Sequence, residues 1–269
     1  MRGTAGRGAP LAVLACGAVL CGGAAHASPW GRAPGDVFIS TKSEFFSASA
    51  PSTDPEAPFD IRFERIDASA YVEVGLGAGL TIGGKSVYGT STFNDGFSVF
   101  TADGVSEAEG FLQVELHRDA RQVVAARLSG AAPTRFETGA RPGLATDGVD
   151  LEARGLYGRT IATRPVKLFA GVEAGYRRRL GSAADQLRVD ATFGVEPSRR
   201  ILALLDVFSI KSLGAAEPGG ADFDVVKIQP SLALRLARGW TVQAGYVNEI
   251  AGRGLLRGDT YFLGFWTEF

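Results

Sequence analysis

The stretch Ile66-Asp67-Ala68-Ser69-Ala70-Tyr71-Val72-Glu73-Val74-Gly75-Leu76 decides how this chain is read. Its even positions are all apolar, whereas the odd ones carry Asp67, Ser69, Tyr71 and Glu73. A period of two is a strand with one apolar and one polar face. The pattern returns with Leu112, Val114 and Leu116 against Gln113, Glu115 and His117. It returns again over 166–177 and, in Leu187, Val189, Ala191 and Phe193 against Arg188, Asp190 and Thr192, over 187–193. Weaker alternation over 37–46, 80–90, 122–130, 149–157, 201–210, 225–236, 240–248 and 258–269 brings the expected strands to twelve.

Composition agrees with strands and excludes several other classes. The chain has 269 residues, 36 Gly and 1 Met, which is poor material for helices. With 28 Lys and Arg against 29 Asp and Glu there is no basic excess to neutralise a phosphate backbone, so no nucleic-acid partner is expected. Residues 1–27 combine Arg2 and Arg7 with an apolar run from Leu11 and the small-residue site Ala25-His26-Ala27, which reads as a secretory signal peptide cleaved near Ala27-Ser28. Both cysteines, Cys16 and Cys21, lie in that segment, with lipidation at Cys16 as the rival reading. Residues 28–269 then form one domain without cysteine, and no metal site or cofactor is expected.

The chain closes on Tyr261-Phe262-Leu263-Gly264-Phe265-Trp266-Thr267-Glu268-Phe269, with Tyr261, Leu263, Phe265 and Phe269 on one parity. This resembles the C-terminal signal of bacterial outer-membrane β-barrels, and the resemblance implies recognition of those four residues by barrel-assembly machinery. The connections give a second indication. Those expected at 47–58, 91–106, 131–148, 211–221 and 249–257 are long, those at 77–79, 118–121, 196–199 and 237–239 are short, and those at 158–164 and 178–184 are of medium length, so long and short alternate nearly throughout. Alternating short turns and longer loops are the habit of transmembrane barrels, and an even strand count puts both termini on the periplasmic side. The expected fold is therefore all-β, a closed antiparallel transmembrane barrel of about twelve strands in outer-membrane lipid. Aromatic residues near segment ends, among them Trp30, Tyr88, Tyr176, Trp240 and Trp266, fit interfacial girdles.

Two motifs suggest other chemistry. Gly79-Leu80-Thr81-Ile82-Gly83-Gly84-Lys85-Ser86 matches the phosphate-loop pattern, but that loop must open a helix, and Val87-Tyr88-Gly89-Thr90 continues as a strand instead. His117 is the one histidine left after residue 27. Outer-membrane phospholipases and lipid A deacylases carry a Ser two residues after their His; here that position is Asp119, so no nucleophile stands in place and no enzymatic activity is expected.

The inward parity carries nine bases and nine acids. Arg154, Arg177 and Arg188 with Glu152, Glu173 and Asp190 are expected to form a constriction, and Lys167, Lys227 and Asp206 are further candidates along the bore. Twelve strands lie between the filled eight-strand barrel and the open barrel of about sixteen. One reading is a narrow passive channel for small polar solutes; the other is an occluded structural or secretion-associated barrel. The signal, the lead-in Ser28-Pro29-Trp30 and Gly35-Asp36-Val37 before the first strand resemble small outer-membrane proteins of the broad transporter or phenol-degradation meta-pathway type, some of which sit beside exopolysaccharide machinery. That resemblance implies passage of a small molecule or an exported glycan without naming it.

Overall fold

The computed structural model describes residues 29–51, 60–133, 137–138, 144, 148–218, 220–237 and 239–269. The expected signal peptide, its expected cleavage site and Cys16 fall outside the described residues, as does most of the expected loop 131–148.

Twelve strands build the molecule: β1 (Val37–Ala50), β2 (Ile61–Gly77), β3 (Leu80–Asn94), β4 (Val99–Arg118), β5 (Gln122–Ala132), β6 (Asp150–Ala162), β7 (Lys167–Arg179), β8 (Asp185–Glu196), β9 (Ile201–Leu213), β10 (Asp224–Ala237), β11 (Trp240–Arg253) and β12 (Gly258–Glu268). A two-residue strand, Glu137–Thr138, adds to β4 at Gly104 and Asp103. Each barrel strand pairs antiparallel with its sequence neighbours. The sheet closes where β1 meets β12, from Phe38 opposite Glu268 to Ala48 opposite Gly258. Two further backbone bonds finish this seam: the Val37 N–H donates to the Phe269 carbonyl at 3.2 Å and the Phe269 N–H returns to Val37 at 3.0 Å.

Burial is inverted relative to a soluble domain. Ile66 and Leu76 on β2 are 57% and 54% exposed on the outer face, while Arg65, Asp67 and Glu73 on the same strand are buried in the bore. On β12 the terminal aromatic and apolar residues Tyr261, Leu263 and Phe265 all point outward, and Phe262 points in. The outer face is bounded by tyrosines. Tyr88 donates to Asp103 at 3.1 Å and Tyr176 to Asp185 at 2.5 Å toward the loop end, while Trp240 packs on Phe265 at 4.9 Å toward the end where β1 starts and β12 finishes. Two expected girdle residues are elsewhere. Trp30 and Trp266 face the bore, because Trp266 lies on the inward parity of β12 and Trp30 precedes the sheet altogether.

The long connection expected at 91–106 is instead strand. β3 and β4 run on to a turn over 95–98, where the Asp95 carboxylate accepts the N–H groups of Phe97 and Ser98 at 2.9 and 2.7 Å; these donors hold its carboxyl below the usual range. A bulge explains why the alternation hid this. Val87 pairs with Glu107 and Tyr88 with Val105, so Ser106 is an extra residue; inward positions are even up to it and odd beyond it. At the opposite end of the barrel the expected turn 77–79 is present, with positive φ at Gly77, Ala78 and Gly79. Residues Leu80 to Ser86 of the phosphate-loop pattern all lie in β3, with no helix after them.

Apolar packing occurs inside the bore at two levels. Ala183, Ile210, Ala221, Phe223 and Val225 cluster with Leu255 near the loop end, and Leu202, Leu204 and Ala233 cluster with Phe169 and Trp266 toward the termini.

The seam yields a prediction. Deleting Phe269 removes both terminal backbone bonds, so the heat-modifiable folded form should decrease in membrane fractions. Phe269→Ala, which keeps the backbone, should lose less. Equal folded yield for the deletion and the parent chain would show that closure does not depend on this residue.

Candidate functional site

The bore is entered from the terminal end by the chain itself. Residues Pro29 to Asp36 form a strap that turns in ahead of β1. The Gly35 N–H donates to the Gly75 carbonyl at 2.9 Å, and the Gly75 N–H to the Asp36 carbonyl at 3.0 Å. The fit requires glycine at two wall positions: a Cβ at Gly75 would stand 2.0 Å from the Ala33 carbonyl oxygen, and one at Gly158 would stand 2.7 Å from the Trp30 ring. Trp30 meets Phe169 edge-on with ring centres 6.1 Å apart. Arg32 donates to Glu73 at 2.6 Å, reaches Glu268 at 3.3 Å and lies 4.3 Å over the Phe38 ring. It ties the strap to β1, β2 and β12 together.

Deeper in the bore the six expected constriction residues do come together on β6, β7 and β8. Glu152 contacts Arg154 at 2.6 Å, Arg177 at 2.7 Å and Arg188 at 3.1 Å. Arg154 in turn contacts Glu173 at 3.0 Å and also Asp190. The arrangement is a shared network rather than three cross-strand pairs. Arg177 does stand opposite Glu152, but Glu173 stands opposite Asp190 and Arg127 opposite Arg154, which are like-charge neighbours. The Arg154 guanidinium bridges the two acids. Arg127 turns away to Gln113, to Glu73 at 3.7 Å and to the face of Phe111.

The other three candidates lie outside this belt. Lys167 is at the terminal end of β7, half exposed, and pairs with Glu196 at 2.7 Å. Lys227 is toward the loop end and pairs with Glu249 at 2.6 Å. Asp206 is fully buried on β9, accepting from Thr192 at 2.6 Å and Gln229 at 3.0 Å. His117 is exposed at the end of β4, 3.7 Å from Asp119, whose carboxylate accepts the N–H groups of Arg121 and Gln122 in the turn. These donors hold the Asp119 carboxyl below its usual range.

Several bore charges were not anticipated. Arg32 precedes the first strand, so no alternation could place it inward. Asp150 and Arg179, paired at 3.2 Å, sit where strands begin and end. Lys85 lies within the phosphate-loop pattern between Gly84 and Ser86; the one signal for it was its shared parity with Thr81 and Val87, both buried in the bore.

Strap and belt enclose a cavity of about 560 Å³, lined by eight basic side chains and six carboxylates as well as apolar residues from β9 and the strap. Toward the loop end, Arg65 is buried against Asp67 at 2.7 Å and donates to the Leu144 carbonyl at 3.4 Å.

No family model and no curated protein matches the sequence. Solved structures do match in fold. An outer-membrane channel from Pseudomonas putida F1 aligns with TM-score 0.59 at 10% identity, over 88% of this chain and 96% of that one. The NanC porin aligns with TM-score 0.54 at 9% identity, over 84% and 98%. The translocator domain of the autotransporter NalP from Neisseria meningitidis aligns with TM-score 0.53 at 12% identity, over 88% and 90%. The chain therefore has the fold of bacterial outer-membrane β-barrels.

Arg154 is the residue on which the belt should depend most. Arg154→Ala would leave three carboxylates short of a partner in a poorly hydrated bore, and the folded barrel should lose about 3 kcal/mol. Lys167→Ala, at a half-exposed pair, should cost less than about 1 kcal/mol. Denaturant midpoints of the refolded variants measure both, and similar midpoints would mean that the belt is well hydrated.

Proposed function

We propose that this chain is a passive outer-membrane channel for small polar solutes, without enzymatic activity. The observation that carries the reading is the inverted burial, an apolar outer face around a charged bore with a cavity of about 560 Å³. The fold shared with an outer-membrane channel and a porin supports it. The start of β1 and the end of β12 lie at the end with the short turns 77–79 and 119–121; on the reading proposed here that end faces the periplasm and the ends of β1, β5 and β9 face outside. Secretion through the signal peptide and recognition of the terminal strand by assembly machinery belong to the same proposal.

A second reading has its own support. Strap and belt both cross the bore, as they would in an occluded structural or secretion-associated barrel, including one beside glycan-export machinery.

Conductance of purified protein in planar bilayers separates the two. The intact chain should show small unitary currents, and removing residues 29–34 should raise them several-fold. Gly158→Val, which takes the space of the Trp30 ring, should have the same direction of effect. Arg177→Ala removes a positive charge held by Glu152 and Asp150, and should shift the reversal potential in a salt gradient toward cations. Silence of both the intact chain and the strap deletion would establish the occluded barrel. For the orientation, protease added to intact cells should cut within 131–148 or 211–221, and cutting confined to 118–121 and 196–199 would invert it.

A further inference from the structure

The phosphate-loop pattern leaves one residue without a role. Lys85 enters the bore from β3 between Tyr71 on β2 and Glu109 on β4, and it lines the cavity between strap and belt. Among the described residues, each of the other seven basic side chains around that cavity has a carboxylate within 4.0 Å. Lys85 has none. Glu109, its register partner, has its ion-pair contact with Arg177 instead, at 4.0 Å.

The opposite character appears on another part of the wall. Trp30, Phe38, Phe169, Leu204, Phe208 and Trp266 all line the same space. Transmembrane barrels that pass water and ions present polar side chains inward. An inward wall of this kind offers a polar solute nothing, yet it would bury the apolar part of a larger one. At about 560 Å³ the cavity is within the ~300–1,000 Å³ typical of small-molecule sites, which pair an apolar wall with a few placed polar groups.

We infer that this cavity is a binding site for an amphipathic organic anion, whose apolar body lies against the aromatic and leucine wall and whose anionic head is taken by Lys85. The inference rests on the channel reading and goes beyond its small polar solutes, since a solute held between strap and belt is one that the bore selects. Among the described residues no carboxylate lies within 4.0 Å of Lys85, and its charge acts on Asp67 only from longer range, so an arriving anion gains an ion pair without displacing a contact one. An ammonium head would meet the Lys85 ammonium and be repelled. An alcohol of the same length would keep the apolar contact and lose the charged one.

The test uses the protein in lipid nanodiscs. The chain has 3 Trp, and Trp240→Phe removes the outward one, leaving Trp30 and Trp266 to report from the cavity wall. Octanoate, 1-octanol and octylammonium are titrated against tryptophan emission, with empty nanodiscs correcting for partition into lipid. Octanoate should give a saturable change, with 1-octanol about tenfold weaker and octylammonium weaker still. Lys85→Gln should bring octanoate down to the level of 1-octanol, and Lys85→Arg should restore it; a heat-modifiability gel confirms that each variant is folded. Octanoate affinity unchanged in Lys85→Gln, or equal affinity for the three probes, overturns the assignment of the head group. Absence of any saturable response to octanoate overturns the site. Bilayer conductance of the same preparation tells whether the channel reading survives that loss.

Discussion

A backbone amide or carbonyl left unpaired in hydrocarbon costs several kcal/mol, and a sheet edge is a row of them. Everything else in this barrel follows from removing that edge. The seam between β1 and β12 is continuous from Phe38 to Ala48 and is completed by the mutual bonds of Val37 and Phe269. Once the sheet is closed, the strict period of two assigns each residue to lipid or bore, so the apolar parity of Ile66, Leu112 and Leu263 covers the outside. The remaining parity must then accommodate charged side chains in a confined bore, and the protein does so mainly by pairing them with each other.

The belt shows how pairing works when the register does not favour it. Closure and tilt place Glu173 opposite Asp190 and Arg127 opposite Arg154, which would be repulsive as isolated pairs. Long guanidinium side chains resolve this, because one group can reach carboxylates on several strands with hydrogen-bond geometry that a lysine could not reproduce. Arg154 serves Glu152 on its own strand and acids on β7 and β8. Lys227 and Lys167 serve simpler pairs, with Glu249 and Glu196.

The fold was legible in the sequence because lipid outside and polar groups inside impose an uninterrupted alternation, as in 66–76 and 187–193. It became illegible where that alternation breaks for a local physical reason. Ser106 bulges out of register and reverses the parity of β4, so strand was read as loop. β9 is apolar on both faces, with Leu202, Leu204 and Phe208 inward, so Asp206 alone among its charged residues marks its inward parity. The six belt residues were found from parity alone because they lie in mid-strand with regular neighbours. Arg32 and Trp30 were out of reach: a segment without secondary structure has no period, and only the closed barrel brings it beside Glu73 and Phe169.

These exceptions share a cause in the size of the barrel. Inward side chains from eight strands meet and fill the interior, whereas twelve leave a gap that they cannot span. Here that gap is narrowed from one side by the belt, whose arginines reach across β6 to β8, and from the terminal end by a strap of the chain itself. A strap can stay in such a bore only if it has an apolar surface to rest on and room at the wall. Phe169, which Trp30 meets edge-on, supplies such a surface, and Gly75 and Gly158 supply the room. The glycines in β2 and β6 are thus the wall's accommodation of Pro29 to Asp36. The space that strap and belt leave between them is a cavity with one apolar and one charged side rather than a uniform water-filled tube.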